Sequence, residues 1–257
     1  MSRRLMCITA HPDDECGAFG GTLMLAKARG LETSVLCLTE GKAASNRGNA
    51  SNEQELAQLR RAEFAAALRV LEVAHGEVLD YPDGKLPEQN FLEVVSKLVE
   101  RMRRFRPQVV LTFGGDGAVN QHPDHTMVSL FTTAAFHWAG RVNFLTEHTA
   151  QGLSPYHPQK LYYSATSYLF HASTEEARNV VLVPASLVIE LGELTARKFL
   201  AFQQHRSQAA ILARVRESFE EQFGVEGYLL AASRGMRQSP IERDMFEDVE
   251  DEPSPAC

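Results

Sequence analysis

Two short motifs place imidazole and carboxylate side chains around a proline. Residues 10–15 read Ala-His-Pro-Asp-Asp-Glu, and residues 122–125 read His-Pro-Asp-His. Carboxylates this close in sequence repel one another, so crowding them has no structural benefit by itself. A divalent cation would offset the repulsion, and histidine with a carboxylate is a donor set typical of catalytic zinc sites.

The spacing within the motifs favours one set of three metal ligands. His11 and Asp14 are three residues apart, and His125 lies at the start of a predicted helix. Three protein ligands would leave a coordination position for water, as in catalytic zinc sites. Asp13 would then lie beside that water, where a general base belongs.

Each motif also has a simpler interpretation when it is taken alone. The carboxylates of residues 13–15 could cap the helix that follows them, and residues 122–125 could be an ordinary capped helix start. If both motifs lie at the same edge of one predicted sheet, however, chance is a weaker explanation than a shared function.

Strand and helix patterns alternate along the chain, which positions the two motifs. Predicted strands cover residues 5–9, 33–38, 78–79, 108–113, 160–164 and 180–183. Predicted helices cover residues 21–29, 52–73, 91–105 and 189–205. This alternation predicts an α/β fold, a Rossmann-like and mostly parallel sheet with helices on both faces. The polar loops after the strands would share the carboxyl edge, where such sheets bind ligands.

Composition indicates a globular protein with an acidic end. The 257 residues are 44% hydrophobic and 23% charged. Residues 241–257 hold seven acidic side chains and one arginine, and so carry −6 of the net charge of −7. We predict one domain over residues 1–236 and a disordered acidic tail over residues 237–257. Because the chain has no net basic charge, we expect it to bind neither nucleic acid nor an anionic membrane surface.

Sequence features bearing on location favour the cytoplasm. No apolar run approaches the roughly 20 residues of a membrane helix. The apolar run after Arg3 and Arg4 ends too soon for a signal peptide. The four cysteines form no Cys-x-x-Cys pair, which favours reduced thiols.

The paired motifs resemble those of the LmbE-like, or PIG-L-like, family of zinc-dependent de-N-acetylases. The resemblance extends from residue 5 to about residue 210. Supporting matches are Gly20-Gly21-Thr22, Leu38-Thr39-Glu40-Gly41, Arg60 with Glu63, Pro82-Asp83-Gly84, and the late pattern of Lys198, Ala201, His205, Ser207 and Gln208.

The resemblance implies roles for the motif residues. Zinc would be bound by His11, Asp14 and His125, with another divalent metal such as Fe²⁺ as the alternative. Asp13 would be the general base. His122 would stabilise the oxyanion or donate a proton, and Asp124 would hold His122.

Four further residues are expected to contact the substrate. Arg60 and Asp83 match family-like contacts, and His205 would line the cleft. Some members carry a tyrosine two residues before the second motif, where this chain has Asn120. Either an amide would then take over the tyrosine's role at the oxyanion, or the helping group would be missing or come from elsewhere.

The implied activity is that of a metal-dependent N-deacetylase, a hydrolase of linear amide C–N bonds. It would remove the acetyl group from an N-acetylglucosaminyl conjugate, a small-molecule partner whose second part is malate, inositol or another sugar. A zinc amidase for a larger thiol-conjugate amide and a non-catalytic sugar-binding relative are the alternatives. A homo-oligomer is compatible with the family. Glycines 17, 20 and 21 do not form the Gly-x-Gly-x-x-Gly nucleotide loop.

Overall fold

The computed structural model describes residues 3–117, 122–165, 185–217, 219–235 and 241–251. The first half alternates strands and helices in the order β1 (Arg4–Thr9), α1 (Asp14–Ala28), β2 (Glu32–Thr39), α2 (Glu53–Leu71), β3 (His75–Tyr81), α3 (Phe91–Phe105) and β4 (Val109–Phe113). The second half continues with α4 (Pro123–Trp138), α5 (Glu147–Ala150), β5 (Lys160–Ser164), β6 (Leu187–Glu190), α6 (Leu194–Phe202), α7 (Ala209–Val215), α8 (Phe219–Phe223) and β7 (Val225–Ser233).

The described strands form one seven-stranded sheet in the order β3-β2-β1-β4-β5-β7-β6. Each neighbouring pair from β3 to β5 in this order is parallel, whereas β7 pairs antiparallel with both β5 and β6. The predicted α/β class with a mostly parallel sheet is therefore confirmed. Strands β1 and β4 are almost wholly buried, as expected for strands covered by helices on both faces.

The direction of the crossovers assigns the helices to two layers. The chain steps outward from β1 through α1 and α2 to β3, then returns through α3 to β4 on the far side of β1. Right-handed crossovers therefore place α1 and α2 on one face and α3 on the other. In agreement, α1 packs against α2 and α6, while α3 packs against α4.

The order of the strands reverses between β1 and β4. Such a switch point opens a crevice at the carboxyl ends of the two strands, where doubly wound proteins bind ligands. Residues 10–15 follow β1 directly, and residues 122–125 form the start of α4, the first helix after β4. The topology thus brings both motifs to one crevice.

Most predicted elements are found within a few residues of their predicted bounds. Helix α3 and strand β5 match their predictions, and β3 is longer than the two residues predicted. Helix α1 begins at Asp14 rather than at residue 21, so Gly20 and Gly21 lie inside it. A Cβ at Gly21 would clash with Leu191, so this glycine lets the chain approach closely. The predicted strand 180–183 lies outside the described residues.

The predicted helix over residues 189–205 is wrong at its start. Residues 187–190 form β6, which pairs antiparallel with β7, and helix α6 covers only Leu194–Phe202. The branched side chains of Val188 and Ile189 fit a strand well. Pairing with a distant strand therefore decided the structure of this segment, which local periodicity alone could not reveal.

The structure also differs from the predicted disordered tail over residues 241–251. The apolar residues Met245, Phe246 and Val249 are buried in the main core. Glu242 is buried as well, and its carboxylate accepts from Lys160 Nζ at 2.6 Å and from the Tyr162 hydroxyl at 2.5 Å. The prediction followed the acidic composition of the segment and did not take account of its three buried apolar residues or its buried ion pair.

Candidate metal and active site

Three donor groups converge at the carboxyl ends of β1 and β4. His11 Nδ1 lies 3.3 Å from His125 Nε2. The Asp14 carboxylate lies 3.6 Å from His11 Nδ1 and 3.3 Å from His125 Nε2. Tetrahedral zinc with bonds of 2.0–2.1 Å to nitrogen would separate its ligand atoms by about 3.3 Å. These residues, which are the predicted ligands, therefore fit a metal ion.

The other nitrogen of each imidazole is held by the protein. His11 Nε2 lies 3.1 Å from Asp83 Oδ1 and 3.2 Å from Asp124 Oδ2. His125 Nδ1 lies 3.2 Å from the carbonyl oxygen of Gly117. Metal-binding histidines commonly donate their second N–H to such acceptors. Both rings can thus present a lone pair on the nitrogen that faces the ligand cluster.

The electric field of the cluster favours positive charge. Burial alone would lower the pKa of His11, but its hydrogen bonds to Asp124 and Asp83 outweigh burial and raise the pKa to about 10. Burial would raise the pKa of Asp14, yet the neighbouring His125 and His11 bring it well below its usual range. A field that stabilises a protonated imidazole so strongly also suits a divalent cation.

Asp13 stands next to the ligands in a strained conformation. Its φ of 125° lies in a region that non-glycine residues rarely adopt, at a cost of about 1–3 kcal/mol. Its Oδ2 accepts from Arg60 Nη2 at 2.8 Å. Burial raises the pKa of Asp13 to about 6, although the Arg60 charge opposes this rise. A carboxylate with this pKa could accept a proton near neutral pH.

The structure places Arg60 beneath the site rather than in contact with open solvent. The side chain is 3% exposed. Besides Asp13, its guanidinium donates to the carbonyl oxygens of Gly41 and Pro12. These contacts give Arg60 a structural role, because its donors already hold Asp13, the proposed base, and the loop around it.

Asp124 holds a different ring from the one expected. Its carboxylate contacts His11 Nε2 and also accepts from the backbone N–H groups of Gly84 at 2.7 Å and Leu86 at 3.0 Å. The contact with His122 is made by the backbone N–H of Asp124, which donates to ring Nδ1 at 3.1 Å. His122 is thus the N-cap of α4. Burial, followed by the charges of His11 and His125, lowers the pKa of His122.

The remaining predicted substrate contacts differ in position. Asp83 is mostly buried, because its carboxylate contacts His11 and accepts from the Ala43 N–H at 2.7 Å. His205 is 1% exposed and lies 2.7 Å from the carboxylate of Glu15. Both side chains are engaged by the protein. Asn120 lies outside the described residues.

A cleft of about 460 Å³ opens over these groups, within the range of small-molecule sites. It is lined by His11, Asp13, Asp14, Ala43, Ala44, Ser45, Asn46, Arg60, Asp83, Gly84, His122, His125, Gln208 and Ile211. Sequence reasoning did not single out the wall formed by residues 43–46 and Ile211, which contains no ionisable side chain. It also gave no role to Glu15, although the first motif contains it. Gln208 appeared only as part of the late pattern.

Fold and site together define a doubly wound α/β protein with a candidate metal centre at its switch point. The chain belongs to the GlcNAc-PI de-N-acetylase (PIG-L) family, which matches residues 6–136. This match confirms the resemblance drawn from the two motifs.

Similar proteins include two named enzymes at just over 30% identity. The mycothiol S-conjugate amidase of Streptomyces coelicolor is 33% identical over 63% of this chain and 60% of its own length. The diacetylchitobiose deacetylase of Thermococcus kodakarensis is 31% identical over 60% of this chain and 57% of its own length. The chain therefore spans less than two thirds of the length of these relatives.

Similar structures confirm the fold. The N,N′-diacetylchitobiose deacetylase of Pyrococcus horikoshii superposes with a TM-score of 0.72 at 23% identity, covering 88% of this chain and 83% of its own. The 4-carboxy-2-hydroxymuconate hydratase of Pseudomonas putida reaches 0.70 at 17% identity, covering 92% and 99%. One is named a deacetylase and the other a hydratase, so the fold alone does not define a reaction.

Proposed function

We propose that the protein is a metal-dependent hydrolase that removes the acetyl group from an N-acetylglucosaminyl conjugate. One observation carries this proposal. The donor atoms of His11, Asp14 and His125 lie 3.3–3.6 Å from one another, and Asp13 lines the same cleft. Family membership and the names of the similar enzymes support the same chemistry.

His11, Asp14 and His125 would hold the metal, for which zinc is the first choice and Fe²⁺ the alternative. A divalent cation here would supply Lewis acidity to the acetamide carbonyl and to the attacking water. The donor set is one carboxylate and two imidazoles, so two of its three ligands are neutral.

Asp13 would take a proton from the attacking water. One of its carboxylate oxygens is held by Arg60, which orients the group and supports its negative form. The other oxygen can then face the reacting atoms in the cleft. Attack on the acetamide carbon and cleavage of its C–N bond would give acetate and a free amine, which carries away a proton.

His122 would stabilise the negative charge that develops on the carbonyl oxygen. Because Nδ1 accepts from the Asp124 backbone, the ring proton belongs on Nε2, which is then the donor. The lowered pKa of His122 favours this neutral tautomer before substrate binds. A preorganised donor of this kind stabilises an oxyanion more than it stabilises the uncharged carbonyl.

The substrate is an N-acetylated amino sugar linked to malate, inositol or a second sugar. Two basic residues that could suit an acidic partner group are already engaged, since Lys42 pairs with Glu40 at 3.1 Å and Arg60 with Asp13. A thiol-conjugate amide is the second candidate, favoured by the 33% identity to a mycothiol S-conjugate amidase.

The cytoplasm is the proposed location. Cys7, Cys16 and Cys37 are buried free thiols, which fit a reducing compartment. Among the residues that the structure describes, no helix is long and apolar enough to cross a membrane. A homo-oligomer stays a prediction, to be checked by light scattering.

The decisive experiment measures acetate release by protein reconstituted with zinc or Fe²⁺. The panel contains N-acetylglucosamine, its malate and inositol conjugates, diacetylchitobiose, and one bulkier thiol-conjugate amide. Each reaction is repeated with Asp13→Asn, which removes the base but retains the size of the side chain. We expect acetate release from one sugar conjugate, and a strongly reduced rate of release in the variant.

Other results would redirect the proposal. Amine release without acetate, from the thiol conjugate only, would favour the second candidate. If no substrate of the panel is hydrolysed although metal is bound stoichiometrically, the proposed deacetylase activity is contradicted. That result would favour a non-catalytic, sugar-binding protein.

A further inference from the structure

We infer that Glu15 and His205 are positioning residues, which hold the backbone of Asp13 in the conformation that directs its carboxylate into the cleft. This inference rests on the proposed function for its catalytic meaning, but its geometry stands independently. Neither residue lines the cleft, so neither would touch substrate.

The conformation of Asp13 needs support. With φ of 125° and ψ of −25°, its backbone occupies a region that disfavours side chains with a Cβ. Such a conformation persists only where surrounding contacts determine it. Asp13 is also the N-cap of α1, yet its side chain caps no N–H group there. Its carboxylate therefore remains directed to Arg60 and the cleft instead of to the helix.

Glu15 supplies the contact on the backbone side. Its Oε2 accepts from the N–H of Asp13 at 2.9 Å. In the usual N-cap, the side chain of the cap residue accepts from the first turn, whereas here a side chain of the first turn accepts from the cap residue. Glu15 is fully buried, so no water competes for this bond. Arg60 holds the opposite side of the residue through the Asp13 carboxylate and the Pro12 carbonyl. Asp13 is thus held at its amide and at its side chain.

His205 fixes the orientation of Glu15. Its Nε2 lies 2.7 Å from Glu15 Oε1, and the Cys16 thiol donates to the same oxygen at 3.3 Å. Because Oε1 is engaged in this way, Oε2 is left for the Asp13 amide. Without His205, the buried carboxylate would lose its shortest hydrogen bond and would be free to rotate away from the Asp13 amide.

A second helix anchors His205 itself. The turn that follows contains Ser207, whose N–H and hydroxyl donate to the Glu63 carboxylate at 2.7 Å and 2.6 Å. Glu63 belongs to α2, one turn after Arg60. Both supports of Asp13 therefore originate from the same helix, one directly and the other through Glu63, Ser207 and His205.

The first test measures hydrogen exchange of the Asp13 amide by NMR in the metal-loaded protein. The disruptive variant is His205→Leu, and the conservative variant His205→Gln keeps a donor for Glu15. We expect exchange at Asp13 to become at least roughly tenfold faster in His205→Leu, and to recover in His205→Gln. Exchange in β1, for example at Cys7, is the internal reference for global unfolding.

The matched control is His148→Leu. His148 is another buried histidine, which contacts Arg103 in the last turn of α3, at the amino end of β4. Its replacement should leave exchange at Asp13 unchanged. Unchanged exchange at Asp13 in His205→Leu would overturn the inference. If His205→Leu does not fold, Glu15→Gln is used, whose neutral amide is a weaker acceptor for the Asp13 N–H and should also accelerate exchange.

The second test uses turnover. We expect His205→Leu to lower kcat by roughly 10- to 100-fold, with KM and metal content unchanged, and His205→Gln to recover part of the loss. In an Asp13→Asn background, His205→Leu should have no further effect on residual kcat. A similar loss in both backgrounds would mean a merely structural role.

The two proposals fail in different ways. If the native protein hydrolyses no substrate of the panel, the proposed function fails, while exchange at Asp13 still decides the positioning inference. If turnover is normal in His205→Leu and exchange at Asp13 is slow, only the positioning inference fails.

Discussion

At the scale of single residues, the site depends on which nitrogen each histidine presents. His11 uses Nε2 for Asp83 and Asp124, and His125 uses Nδ1 for Gly117. The acidic residues near His11 therefore serve two purposes. Asp14 would bind the proposed cation directly, while Asp83 and Asp124 would orient the proposed ligand His11 and raise its basicity.

Replacing Asp13 by asparagine should lower kcat strongly without releasing the metal. We expect kcat to fall by roughly 10²- to 10⁴-fold, the usual contribution of a general base. Metal content, measured by atomic emission, should remain stoichiometric, because Asp13 is not one of the convergent donors. The control Asp80→Asn, at an exposed position, should retain native kcat. Loss of metal from Asp13→Asn would make Asp13 a ligand instead.

Asp83→Asn should weaken metal binding although Asp83 is not a predicted ligand. An amide is a poorer acceptor for the His11 N–H, so we expect metal affinity to fall by roughly 10- to 100-fold. Competition with a chelator measures this directly, and His11→Ala provides the limit of complete loss. Native affinity in Asp83→Asn would show that His11 needs no support from this carboxylate.

At the scale of elements, the loops after the parallel strands determine how closely the groups approach. The loop after β2 turns at Gly41, whose φ is 64° and whose position leaves room for Arg60. A Cβ at Gly41 would clash with the Arg60 guanidinium. This turn therefore couples the second strand to Asp13 through one arginine.

Substitution of Gly41 by alanine should lower both stability and kcat. The left-handed backbone costs alanine about 1 kcal/mol, and displacement of Arg60 should lower kcat by roughly tenfold. Gly30→Ala is the matched control, since Gly30 has φ of 77° and open space around its Cα. It should lose similar stability, measured by urea unfolding, with native kcat. Equal kcat in both variants would dissociate Gly41 from the site.

At the scale of the whole molecule, the segment 241–251 completes the core beside β5. Its apolar residues pack into the main cluster, and Glu242 pairs with Lys160 inside the protein. A buried ion pair adds little net stability compared with apolar residues, but removing one partner leaves a buried charge. The segment is therefore part of the folded unit, although its acidic composition predicts disorder.

Glu242→Gln should destabilise the protein strongly. It would leave the buried Lys160 ammonium without its counter-charge, at a cost of about 3–5 kcal/mol. Urea unfolding measures the loss, and kcat at a temperature where the variant is folded should be native. Glu250→Gln, at an exposed position of the same segment, should change stability by less than about 0.5 kcal/mol. Equal stability of the two variants would contradict the packing of this segment.

By itself the sequence predicted the α/β class, most strands and helices of the first half, and the three residues proposed as metal donors. Strand and helix periodicity is local, and His11 and Asp14 are neighbours in one loop. The carboxyl-edge rule for parallel sheets then brought His125 to them across more than a hundred residues. None of these inferences required knowledge of individual side-chain contacts.

Only the tertiary structure decided what the remaining polar residues do. Arg60, Asp83, Asp124 and His205 have the types of substrate or catalytic groups, but each forms its main contacts with protein atoms. His205 and Glu15, which contact each other, are 190 residues apart in the sequence. Burial and competition between acceptors settle such pairings, and neither is encoded in local spacing. The same reason explains β6 and the packed segment 241–251, because pairing with β7 and burial against β5 are contacts between distant parts of the chain.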